Sequence, residues 1–109
     1  KIIALNQNKV SRRLYYRGRS SACKTLVTYV MKSRQKTTRV GITSSKKIGK
    51  AYQRNRARRV IRAAYAELAG RIDGRYDIVF VARSATCHVK MQVVKKDMEK
   101  QLLSLGVIK

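Results

Sequence analysis

KKIGKAYQRNRARRVIRAAY, residues 46–65, decides how the rest of this chain is read. Between Lys46 and Arg62 it carries eight Lys or Arg in seventeen positions and no acid, while Ala57, Ile61, Ala64 and Leu68 recur at helical spacing. On a wheel of about 100° per residue with Ala57 at zero, Ile61, Ala64 and Leu68 lie within roughly 40° of it, and Val60 and Tyr65 at the margins. Arg58, Arg62, Asn55 and Arg59 fall between roughly 100° and 200°. The pattern predicts a helix from about residue 50 to 70 with a core face and an opposed cationic face. A basic face that only meets water normally interleaves Glu or Asp at i and i+4 to relieve repulsion. Here the first acid is Glu67, so a polyanion is the expected counter-charge.

The whole composition supports that expectation. The chain has 109 residues, 27 Lys and Arg against 5 Asp and Glu, and a formal charge of +22. Residues 1–66 hold 19 bases and no acid; residues 67–109 hold 8 bases and all 5 acids. Ordinary domain surface is thus expected at the C-terminal end and the binding surface before it. The length suits one domain, residues 1–109. Cys23 and Cys87 are too few and too far apart for a disulfide framework or zinc site, and both are expected to be buried thiols. His88 is left as a surface residue, since one His-Cys pair is short of zinc ligands. No apolar run approaches the ~20 residues of a membrane span, and residues 1–9 lack the features of a signal peptide. A cytoplasmic location is expected, with a few native residues preceding Lys1 because the chain opens without Met.

Outside the central helix, residues 8–17 read as a short first helix with Val10 and Leu14 on one side and Lys9, Arg12, Arg13 and Arg17 on the other. Residues 23–31 alternate with period two, and residues 38–44 form a second strand around Val40 and Ile42; a hairpin joining them is the simplest arrangement. Gly49-Lys50 does not make a phosphate loop, because that loop needs Gly at 44 and Ser or Thr at 51, where this chain has Ser44 and Ala51. Asp73-Gly74 marks a turn. Residues 76–82, YDIVFVA, form the most apolar run, expected as the central strand and covered on both faces. A last helix places Met91, Val94, Met98, Leu102 and Leu105 on one stripe and stops at Gly106. The order is helix, strand, strand, helix, strand, helix: an α+β fold, or α/β sandwich, on a small mixed sheet. The central helix would cross between the strands at Val40 and Ile78, right-handed by the general rule.

The run SKKIGKAYQRNRARRVIR, with its Arg54-Asn55-Arg56 triplet, resembles the signature of the bacterial ribonuclease P protein family. The resemblance extends to LNQNKVSRRLYYRGRS at the N-terminal end and YDIVFVARSA near the last strand. It implies an α/β sandwich with an unusual left-handed crossover through the RNR helix, which replaces the right-handed default. It also implies a non-catalytic protein subunit whose catalytic RNA partner uses Mg²⁺ to remove the 5′ leader of precursor tRNA. No organic cofactor, membrane contact or obligate protein partner is expected.

By the same resemblance, the catalytic RNA meets Lys46, Lys47, Lys50, Arg54, Asn55, Arg56, Arg58, Arg59 and Arg62. The leader cleft would comprise Ser11, Arg12, Tyr15, Val27, Tyr29 and Arg83. Guanidinium forks suit phosphate oxygens, and aromatic rings with a cationic track suit a single strand. Ser11 departs from the aromatic residue common in the family, which removes one stacking platform. A structural RNA binder such as a ribosomal protein fits the composition too, but not the signature run. A protein-only nuclease is disfavoured, since the acids are scattered and no pair is spaced to hold metals or act as general acid and base.

Overall fold

The computed structural model describes Tyr16 and residues 18–33, 38–44 and 46–108. The predicted first helix, residues 8–17, lies outside the described residues except for Tyr16, which is helical. One sheet holds four strands, β1 (Arg19–Ala22), β2 (Leu26–Lys32), β3 (Arg39–Thr43) and β4 (Tyr76–Ala82), of which β2, β3 and β4 carry the β-branched content that favours a strand. Two helices accompany them, α1 (Ala51–Leu68) and α2 (Met91–Ser104), with 3₁₀ turns at Lys46–Ile48, Ala69–Arg71 and Ser84–His88.

The strand order is β1-β2-β4-β3, which corrects the expected hairpin. Residues 26–32 and 39–43 are not neighbours; β4 lies between them, antiparallel to β2 and parallel to β3. Ile78 is opposite Val30 on one side and Val40 on the other. The most apolar strand takes the position where both edges are paired and burial is greatest. The hairpin partner of β2 is instead β1, with Ala22 opposite Val27 and Arg19 opposite Val30. Residues 23–25 are its turn, closed by the Cys23 amide donating to Leu26 O at 2.9 Å, so β2 begins three residues later than its alternation suggested.

Period two separates the two faces of the sheet. Leu26, Thr28 and Val30 of β2, Ile78 and Phe80 of β4, and Val40 of β3 are buried beneath both helices. α1 contributes Ala57, Val60, Ile61, Ala64, Tyr65 and Leu68, which is the core face expected from the wheel, and α2 contributes Val94, Met98 and Leu102. Tyr65 packs its ring on Phe80 at 5.6 Å between centroids, and burial pushes its phenol up to about 12. Polar groups under α2 are bonded: Thr28 donates to Gln101 Oε1, and Gln101 Nε2 donates to Leu26 O at 2.9 Å. α2 ends in a Schellman motif, with the Val107 amide donating to Leu102 O and the Gly106 amide to Leu103 O, and Gly106 at φ 78°. Cys87 is buried as expected, whereas Cys23 is only half-buried; both are free thiols.

The parallel pair β3 and β4 is connected through α1, the crossover expected from the sequence. Arg39 and Asp77, opposite each other in that ladder, lock it with a bidentate pair at 3.0 Å on each arm.

Candidate nucleic-acid interface

α1 is positioned by its start. Gly49 adopts φ 140°, a value L side chains rarely take, and a Cβ there would sit 2.0 Å from Gln53 Oε1. That close approach lets the Gln53 side chain reach back and accept the Lys50 amide at 2.8 Å, satisfying one of the donors a helix start leaves open. Lys46 opens the preceding 3₁₀ turn, and Lys47 and Lys50 are exposed beside the helix end. Two sequence-predicted cations, Lys47 and Lys50, are therefore grouped where the helix dipole already favours anions.

Along α1 the predicted residues divide into three groups. Asn55, Arg58, Arg59 and Arg62 are exposed on the side opposite the core. Arg58 Nη2 donates to Asn55 Oδ1 at 2.9 Å, so its recorded partner is an amide and not a carboxylate. Arg54 and Arg56 lie at the two borders of the core face, at roughly 60° and 260° on the wheel. Arg56 Nε donates to Cys87 O at 2.9 Å and ties the helix to the 3₁₀ turn Ser84–His88. Arg54 is half-buried, and its Nε is the buried side-chain nitrogen without a hydrogen-bond partner among the described residues. It borders a surface depression of about 220 Å³ lined by Ser44, Ala51, Arg54, Asn55 and Arg58.

The three ion pairs recorded among the described residues are Arg39–Asp77, Arg71–Glu99 and Lys95–Glu67. None uses Lys47, Lys50, Arg54, Arg56, Arg58, Arg59 or Arg62. Three of the five acids, Asp77, Glu67 and Glu99, are thus engaged by partners outside the basic face.

A second surface lies on the side of the sheet turned away from the helices. Val27, Tyr29, Met31 and Val81 are half-buried there around the fully buried Val79. Val27 and Tyr29 share this face as predicted. Arg83 follows β4 and is exposed; its Nη1 donates to Cys23 O at 3.2 Å. Ser11, Arg12 and Tyr15 lie outside the described residues. A half-open apolar face with one phenol and a neighbouring guanidinium can hold an extended chain of stacked rings and charged linkers.

One exposed residue of α1 was missed. Tyr52 is 68% exposed and borders a depression with Asn55, Arg56 and Arg59. The signal was present, because Tyr52 falls at roughly 220° on the wheel, at the edge of the cationic face beside Arg59. Among the described residues no three His, Cys, Asp or Glu side chains come together as metal ligands, and no helix is long and apolar enough to cross a membrane.

Comparison with known proteins adds an independent line. A family model described as Ribonuclease P matches residues 2–106. The chain is 40% identical over 102 residues to the ribonuclease P protein component of Clostridioides difficile (strain 630), spanning 93% of this chain and 86% of that protein. It is 37% identical over 102 residues to that of Clostridium botulinum (strain 657 / Type Ba4), spanning 93% and 88%. Among solved structures it is similar to the Staphylococcus aureus RNase P protein, with TM-score 0.86 and 27% identity over 100% of both chains. It also resembles the Thermotoga maritima RNase P protein in complex with 1-(4-fluorophenyl)-2-thiourea, with TM-score 0.79 and 25% identity over 96% of this chain and 99% of that one.

Proposed function

The chain belongs to the ribonuclease P protein family, and from that membership we propose that it holds two RNAs at once on two faces of one small scaffold. As a family member it is the protein subunit of a ribonucleoprotein endoribonuclease that processes tRNA, associated with the ribonuclease P RNA. The catalytic RNA meets the α1 side, at Lys46, Lys47 and Lys50 before the helix and at Arg54, Asn55, Arg56, Arg58, Arg59 and Arg62 along it. The 5′ leader of precursor tRNA lies over the outer sheet face, along Val27 and Tyr29 and beside Arg83, and Ser11, Arg12 and Tyr15 are the further leader contacts that the family resemblance implies.

The observation that carries this reading is the uncompensated face of α1, whose cations enter none of the ion pairs recorded among the described residues. Such a face lowers its own repulsion by neutralising phosphates, and the counterions released from the RNA make binding strongly salt-dependent. The protein's part is binding and positioning. Chemistry at the scissile phosphate is assigned to the RNA, where bound Mg²⁺ would supply charge stabilisation and an activated water. Among the described residues no three His, Cys, Asp or Glu side chains come together to hold that ion, and the protein takes no step through it. Positioning the leader can lower the Mg²⁺ requirement, because cations on the protein offset some of the phosphate repulsion that the metal otherwise screens. A cytoplasmic place, where precursor tRNA and catalytic RNA are found, accompanies this role.

The test is cleavage of a precursor tRNA with a leader by ribonuclease P RNA at limiting Mg²⁺, with and without the chain. A clear gain in cleavage is expected. No gain over RNA alone refutes the reading, and ribosomal RNA co-purifying in place of ribonuclease P RNA would point to a structural RNA binder.

A further inference from the structure

The depression beside Tyr52 has a volume of about 320 Å³ and is lined by Tyr52, Asn55, Arg56, Arg59 and Val60. That is the small end of the range for ligand sites, roughly 300–1,000 Å³, and suits one nucleotide. Its composition is unusual for a helix face that only meets phosphates. Tyr52 presents a ring that is 68% exposed, although a hydrophobic side chain gains nothing from standing in water. Val60, 8% exposed, forms the apolar floor.

Asn55 and Arg56 stand three and four residues after Tyr52, and Arg59 seven, so all four rise from one side of α1. Two of these side chains are already oriented. Arg56 Nε is held by Cys87 O at 2.9 Å, which leaves the outer guanidinium nitrogens directed away from that bond. Asn55 Oδ1 accepts from Arg58 at 2.9 Å, which leaves the amide N–H groups as donors. Arg59 is exposed and has no ion pair among those recorded.

The geometry points to a nucleotide-binding notch: an unpaired base of the catalytic RNA stacks on the Tyr52 ring, its phosphate meets Arg59, and Asn55 and Arg56 donate to the base edge or ribose. The inference rests on the proposed RNA-binding role of α1 and adds a base contact to a surface otherwise read as phosphate-binding. Stacking is sequence-tolerant because every base has a π-face, so the notch selects an unpaired nucleotide in the right place and not a particular base. It fixes the register of the RNA along α1, which charge alone, being non-directional, does not.

The experiment uses the full chain and a ribonuclease P RNA transcript from the same organism, with Kd measured across a salt series. Tyr52→Ala is expected to weaken binding by at least about fivefold and leave the slope of log K against log salt unchanged, since no charge is removed. Tyr52→Phe keeps the ring and should stay within twofold of the parent. Chemical probing of the bound RNA should show one unpaired nucleotide protected by the parent and by Tyr52→Phe but not by Tyr52→Ala. Arg58→Ala with Arg62→Ala is the control for the underlying reading, and should lower both affinity and salt slope. If that control weakens binding while Tyr52→Ala stays within twofold, the stacking inference alone is overturned. If the control changes neither affinity nor slope, the assignment of α1 to RNA fails and the notch with it. A Tyr52→Phe variant as weak as Tyr52→Ala also overturns stacking. Melting curves of the variants confirm that each is folded.

Discussion

Arg39→Met isolates the contact that fixes the strand leading into the basic helix. Arg39 binds both carboxylate oxygens of Asp77 at 3.0 Å, and the side chains are 20% and 4% exposed. Met fills similar volume but leaves Asp77 as an uncompensated buried carboxylate. Removing one partner of a buried pair costs about 3–5 kcal/mol, and the partial exposure of Arg39 puts the expectation at the lower end, about 3 kcal/mol. With an unfolding entropy of roughly 2.1 cal/mol/K per residue, 109 residues give ~0.23 kcal/mol/K, and Tm should fall by roughly 13 °C. Circular dichroism melts at pH 7 measure this directly. Raising salt within the physiological range should change the difference little, because a pair this buried is poorly screened. Arg39→Met combined with Asp77→Leu should recover most of the loss, since neither charge then stays buried. A single variant melting within about 4 °C of the parent would show that water already solvates Asp77 and that the pair does not hold β3 to β4.

Ile61→Asp puts a charge at a position with 0% exposure; the expected result is loss of the cooperative melt and of RNA binding together, the cost exceeding about 4 kcal/mol. Gly49→Ala both strains a φ of 140° and collides with the Gln53 side chain, so it should cost about 2 kcal/mol or more by melting and weaken RNA binding by displacing Lys47 and Lys50. Alkaline titration followed by tyrosine absorbance should find the Tyr65 phenol still protonated at about pH 11, since burial pushes it up to about 12. Its folded value lies above the unfolded value near 10, so its contribution to stability is complete below pH 10 and is lost as pH rises towards 12, by up to roughly 2–3 kcal/mol. Tyr65→Phe should flatten that decline; an unchanged decline would place its cause elsewhere.

The core face of α1 was legible because 3.6-residue periodicity is a local property: Ala57, Ile61, Ala64 and Leu68 are buried as their spacing required. The stop of α2 at Gly106 and the central place of β4 were legible for similar reasons, one from the left-handed conformation a Schellman motif needs, the other from an uninterrupted apolar run. Strand pairing was not. The sequence of β2 and β3 is compatible with a hairpin, and only competition with β4 for the same ladder separates them. β1 was invisible because Arg-Ser-Ser-Ala has no apolar alternation; it forms by edge pairing with β2 and by Arg19 donating to Leu105 O.

The same division applies to the site. Charge segregation and helical spacing determined, without any structure, that an acid-free face of Arg58, Asn55, Arg59 and Arg62 stands opposite a core. They put Asn55 on that face and left Arg54 and Arg56 at its borders without saying what either would bond. Tertiary structure decided that Arg56 spends its Nε on Cys87 O, that Arg54 keeps a buried Nε unpaired, and that Tyr52 joins Asn55 and Arg59 around one depression. The reason is physical: which residues share a helix face depends on the backbone repeat alone, whereas which hydrogen bond a side chain makes depends on the elements that packing brings beside it, here the turn after β4.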